Sequence, residues 1–232
     1  MKTLNNYILE RLNPKNLGSS TDLDTLPKEL KEKYRLVFNP TTGRYDCDGD
    51  IKSIDVRRDL IENGHFICNF GVVKGHFECN LCNNLTSLKG APKEVGGDFD
   101  CSHCARLASL KGAPKKVGGA FVCFSCENIT SLEGVPREVG ENFYCCSCEK
   151  LKSLKFSPEK VGGNFYCYSC PEFKTLEGAP REVGGDFNCS NCENLVSLKG
   201  APKEVGRDFS CINCFRLKDY NINTKIGGIF EK

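Results

Sequence analysis

Apolar residues recur along most of this chain at one set of offsets. In Phe99-Asp-Cys101 the two apolar side chains flank a polar one, the two-residue period of a strand with Phe and Cys on one face. Cys104, Leu107 and Leu110 follow at a turn-like spacing. Gly96-Gly97 permits a tight bend before the strand, and Gly112-Ala-Pro114 makes a second, stiffened corner after it. The unit at residues 85–107 returns, little changed, as far as Phe209. Its first cysteine falls at Cys79, Cys101, Cys123, Cys145, Cys167, Cys189 and Cys211, a 22-residue period with no slip. Such a period marks a solenoid, in which each unit buries its apolar edge against its neighbours. Two corners and one strand per unit predict flattened coils, stacked about 4.8 Å apart through parallel strand pairing.

The pattern is worn at both ends, where a terminal unit must face water on one side. Residues 1–13 place Leu4, Ile8 and Leu12 on one face of a short amphipathic helix that Pro14 ends, either a cap or a docking tag. Residues 15–24 read as a linker. A second helix is expected from Pro27 with Thr25 or Asp24 as N-cap, then a strand at residues 34–38 and a turn at residues 39–43. Tyr45-Asp-Cys47 matches Phe99-Asp-Cys101, and Ile51-Lys-Ser-Ile54 matches Leu107-Ala-Ser-Leu110. Phe66-Ile-Cys68 reads as a further strand, too close to Cys79 for a regular unit. The expected organisation is a cap and linker over residues 1–44, irregular repeats over 45–78, the regular array over 79–216 and a C-terminal cap over 217–232.

Phe99-x-Cys101-x-x-Cys104-x-x-Leu107 resembles the core of the leucine-rich repeat, with one residue added before the last Leu. The unit is most similar to short bacterial leucine-rich repeats, which pair an L-x-S-L-P segment with a strand, over roughly residues 66–217. The Leu-x-Ser-Leu-x-Gly-Ala-Pro wording also resembles uncharacterised repeat proteins of bacteriophages and gut bacteria. The resemblance implies a mainly β, leucine-rich-repeat-like solenoid of about eight or nine coils, with a parallel strand face and a small N-terminal α cap.

Composition changes the picture little. The 32 basic and 30 acidic residues nearly cancel, so no global field draws the chain to nucleic acid or an anionic membrane. No apolar run reaches the roughly 20 residues of a spanning helix, and the N-terminus makes a poor signal peptide. The 17 cysteines are odd in number, and with no export signal visible a reduced, cytoplasmic protein is expected, in the host cytoplasm or a virion if of phage origin. Adjacent C-x-x-C pairs match a zinc-ribbon spacing. The first Cys of each pair nevertheless sits in an inward apolar column, and seven regular pairs do not divide into four-Cys sites. Buried structural thiols and no cofactor are therefore expected, with zinc or redox chemistry at the pairs as the alternative. No nucleophile–base constellation accompanies His65, His76 and His103, so a non-enzymatic protein is expected. His103 reads as a surface residue, and the carboxylates of Asp46-Cys-Asp-Gly-Asp50 as a turn.

The outward columns of the strand suggest a partner site. After Phe they run Glu78, Asp100, Val122, Tyr144, Tyr166, Asn188, Ser210; after the first Cys they run Asn80, Ser102, Phe124, Cys146, Tyr168, Ser190, Ile212. The central units thus gather Val122, Phe124, Tyr144, Cys146, Tyr166 and Tyr168, with Asp98 and Asp100 at the rim, a pattern suited to a protein partner. Cys146 is expected to face solvent. The other reading of the same aromatics is cross-strand support of an exposed sheet. A structural or virion-assembly protein docking by residues 1–13 is the alternative function.

Overall fold

The computed structural model describes residues 24–232. It is a stack of short parallel strands, a β-solenoid of about eight coils with two short helices near its N-terminal end. Each coil carries two strands rather than the single one expected. Besides Phe99–Asp100 and its equivalents, Glu94–Val95 and its equivalents also pair from coil to coil. The first set builds an eight-stranded sheet, the second most of a ten-stranded one. Two residues per strand are too few for their alternation to show in the sequence.

The Phe column is the spine of the core. Phe77, Phe99, Phe121, Phe143, Phe165, Phe187 and Phe209 are all fully buried. Phe143 and Phe165 stack with centroids 5.2 Å apart and planes 5° from parallel, and Phe165 and Phe187 repeat this at 5.4 Å and 4°. Val95 and its equivalents close the core from the other sheet. Between the two strands the first Gly of Gly-Gly is obligatory. A Cβ on Gly140 would lie 2.0 Å from the Gly118 carbonyl oxygen of the coil before, and the same contact recurs at Gly118, Gly162, Gly184 and Gly206. On the third side, the Ser of Leu-x-Ser-Leu turns the chain. Ser109 Oγ accepts the Lys111 N–H at 3.1 Å, and Ser87, Ser131, Ser153 and Ser197 do the same in their own coils.

The N-terminal end departs from the array. Helix α1 (Lys28–Tyr34) has Pro27, not Thr25 or Asp24, at its N-cap, and Arg35 closes it in the left-handed region. Asp24 instead accepts from Tyr45 Oη at 3.0 Å and Lys31 Nζ at 2.5 Å. Strand β1 (Leu36–Asn39) pairs antiparallel with β2 (Arg44–Cys47), through a turn in which Asn39 Oδ1 accepts the Thr41 N–H. The worn units thread differently from the expected match. Cys47 pairs with Val73, so Tyr45-Asp-Cys47 belongs to the Val column. Ile51 bridges in parallel to Phe77 and heads the Phe column, rather than matching Leu107. Phe66-Ile-Cys68 is not a rung. Residues 53–60 form a short helix, Ser53–Asp55, that widens at Val56–Leu60, and β3 (Ile61–Glu62) then pairs antiparallel with β4 (His65–Phe66). This inserted hairpin fills one side of the first coil before β5 (Phe70–Val73) rejoins the sheet. At the other end Lys225–Ile226 and Phe230–Glu231 add one last rung to each sheet. The amphipathic segment at residues 1–13 lies outside the described residues. Among those described, no helix is long and apolar enough to cross a membrane.

Candidate functional site

The cysteines come first, because they could carry chemistry. All 17 are free and buried. The first Cys of each pair points into the core beside Phe. The residue before the second Cys takes a positive φ, as at His103 (53°), Ser125 (52°) and Ser147 (53°), and this swings the second thiol back across the stack. There Cys104 Sγ donates to the Cys79 carbonyl at 3.1 Å, Cys126 to Cys101 at 3.2 Å and Cys148 to Cys123 at 3.3 Å; the ladder continues through Cys170, Cys192 and Cys214. A buried carbonyl without a donor is costly, so this column satisfies the backbone where the chain turns out of the sheet. Burial raises the first-column thiols Cys79, Cys123, Cys145, Cys167 and Cys189 well above the ordinary range. Among the described residues no group of three or more His, Cys, Asp or Glu side chains is placed to hold a metal ion.

A second ladder runs along the outer corner, just before each Phe. Asp98 Oδ1 accepts the Ala120 N–H, Asn142 Oδ1 that of Asn164 (2.8 Å), Asn164 Oδ1 that of Asp186 (2.7 Å), and Asp208 Oδ1 that of Ile229 (2.9 Å). Asp46 and Asp50 do the same for Val72 and His76, so the carboxylates of residues 46–50 serve inter-coil pairing. His76 Nδ1 takes the acceptor role toward Asp98.

On the outer face of the eight-stranded sheet, Val122, Tyr144 and Tyr166 stand side by side in register on three adjacent rungs. Tyr144 and Tyr166 lie 5.3 Å apart between ring centroids, Tyr166 and Tyr168 6.3 Å, and Phe124 packs edge-on against His103 at 4.6 Å. All five patch residues other than Cys146 are half-buried. Cys146, expected at the surface, is 2% exposed. The Tyr168 hydroxyl is raised to about 12, chiefly by its interaction with Cys146, while burial raises the Cys146 thiol. Ser102, expected outward, is also buried, with its N–H on Asp100 Oδ1. At Cys146, rungs so closely stacked let the longer Tyr168 of the adjacent coil cover a small side chain. Asp98 and Asp100 remain half-exposed at the patch margin, and Asn164 Nδ2 donates to Tyr166 Oη at 3.0 Å.

Sequence reasoning passed over Phe156. It stands where neighbouring coils have Gly112, Gly134 and Gly178, adopts φ 72° and is 52% exposed. Register alone could have found it, as an aromatic at a glycine position. No known protein family, curated protein or solved structure matches this chain.

Proposed function

We propose that this is a non-enzymatic, leucine-rich-repeat-like binding module that takes a protein partner on the outer face of its eight-stranded sheet. The observation that carries this reading is the in-register row Val122, Tyr144, Tyr166, flanked by Phe124 and Tyr168, on three successive rungs. Elsewhere in the Tyr144 column the positions are polar or acidic, Glu78, Asp100, Asn188 and Ser210, and in the Tyr168 column the apolar residue outside the centre is Ile212. Tyrosines bury large area with few rotors and keep a hydroxyl for hydrogen bonding, which suits them to an interface centre. The opposite sheet presents charges that pair with one another between coils, as in Lys116–Glu94 at 3.5 Å and Lys225–Glu204 at 2.7 Å, a solvated surface. The phage-like wording of the unit makes a host factor the partner class to look for first.

The test uses substitutions that the array already tolerates. Ser210 occupies the Tyr144 and Tyr166 column, and Ser190 the Tyr168 column. Tyr144→Ser/Tyr166→Ser/Tyr168→Ser should therefore fold, as circular dichroism can verify. In affinity capture from lysate, a specific partner retained by wild type and lost by the triple variant is the expected outcome. Equal retention by both proteins would rule the patch out.

A further inference from the structure

Overall charge balance conceals an uneven distribution over the surface, and this bears on what the aromatic face can accept. The ladder corner beside the patch carries Asp98, Asp186 and Asp208, and the next column adds Glu78 and Asp100. Among the described residues the cationic partners given to these acids are few. Arg207 Nε reaches Asp186 Oδ1 at 3.5 Å. Lysines elsewhere pair with other acids, as in Lys111–Glu133 and Lys199–Glu177 at 3.1 and 2.7 Å. The aromatic strip thus has carboxylates before and after it along the axis, with Arg207 paired to Asp186 at the far end.

Its shape also restricts the occupant. The row is two side chains wide and three rungs long, and its rings are half-buried. Concavities are found elsewhere, one over Val95 and Val117 on the far sheet and another beside α1. A flat, narrow strip suits an extended chain better than a small molecule, which needs enclosure. From the Asp98 rung to the Asp186 rung is four coil steps, about 19 Å at the usual strand spacing, and an extended chain covers that in about six residues.

We propose that the face takes an extended basic peptide segment laid along the solenoid axis, apolar or aromatic at its centre, with Lys or Arg about six residues apart. The centre rests on Val122, Tyr144 and Tyr166, and one cation reaches the Asp98/Asp100 end, the other the Asp186/Asp208 end. Tyrosine faces favour cations as well as apolar groups, so the centre tolerates a further Lys or Arg. The proposal rests on the strand-face reading above.

The ladder supplies the decisive variant. Asn142 and Asn164 perform in the same column the hydrogen bonding of Asp98 and Asp186. Asp98→Asn/Asp186→Asn/Asp208→Asn therefore removes three charges while retaining the acceptor that holds the coils. The probes are three pools of seven-residue peptides with randomised Leu, Val, Phe and Tyr centres, ended by Lys, by Glu or by Ser. Wild type should retain the Lys-ended pool at least tenfold over the Ser-ended one. That preference should fall severalfold in the triple Asn variant and at 0.5 M salt, where exposed charges are screened. Retention itself should be lost in Tyr144→Ser/Tyr166→Ser. Equal retention of all three pools, with the same tyrosine dependence, would overturn the basic partner and leave the strand-face reading intact. No retention, or retention indifferent to the tyrosines, would overturn both. Self-association abolished by the tyrosine changes would assign the face to a second copy and overturn the proposal.

Discussion

Phe156 shows most directly what a single position can cost. The coil turns here through a left-handed residue, and Gly112, Gly134 and Gly178 do so without a Cβ at φ 98°, 114° and 92°. Phe156 makes the same turn at φ 72° with its ring half out in water and Lys155 Nζ 5.2 Å from the centroid. An L-residue in this region is disfavoured by roughly 1–2 kcal/mol, partly offset because glycine adds entropy to the unfolded chain. Phe156→Gly should raise stability by roughly 1 kcal/mol, read as a higher urea midpoint at unchanged slope. A lower midpoint would mean the exposed ring contributes more to the fold than its surroundings indicate.

The C-x-x-C turn is the element that makes the coil distinctive. Its left-handed third residue and its returning thiol act together: the turn leaves a carbonyl without a strand partner, and the thiol of the next coil supplies the donor. Cys148→Ala would remove both that donor to Cys123 and the buried sulfur. The expected cost is roughly 2 kcal/mol by chemical denaturation, combining an orphaned carbonyl with a small cavity. A loss below about 0.5 kcal/mol would show that the ladder is incidental. The hexapeptide frame Phe-x-Cys-x-x-Cys and the period were fully legible in the sequence, as was the inward direction of the first cysteine. The carbonyl partner was not, because it belongs to another coil 25 residues away. The second strand was illegible for a related reason: Glu94–Val95 has too little alternation of its own, and only pairing with Val73 and Val117 makes it a strand.

The thiol columns give the whole molecule a shared pH response. Burial holds Cys79, Cys123, Cys145, Cys167 and Cys189 protonated in the fold, whereas in the unfolded chain each ionises near its ordinary value of 9.0. A folded value above the unfolded one means stability is fully present below pH 9 and falls as pH rises beyond it. The five groups together set a limiting slope of about 7 kcal/mol per pH unit well above pH 9. Tyr168, held near 12, adds in the same direction above pH 10. Unfolding followed by circular dichroism should therefore be flat near neutrality and cooperative between about pH 9 and 11. Serine at several first-column cysteines should soften that alkaline transition in a correspondingly destabilised protein. Stability unchanged to pH 11 would contradict the burial of the columns.

Sequence by itself determined the period, the parallel stacking, the apolar columns and the central gathering of aromatics, because each coil repeats the same local chemistry. A one-residue slip anywhere would have put Phe and the first Cys on the wrong face. It also carried the polar margin of the patch, though not what those polar groups do. Only the tertiary structure decided the relations between coils: Asp98 bonded to Ala120 N–H, Cys148 to Cys123, and Ile51 at the head of the Phe column rather than the Leu column. It also decided exposure, burying Ser102 and setting Cys146 beside Tyr168, which stands a full coil away in sequence. Those outcomes depend on stacking distance, a property of the assembled coils that no single coil contains.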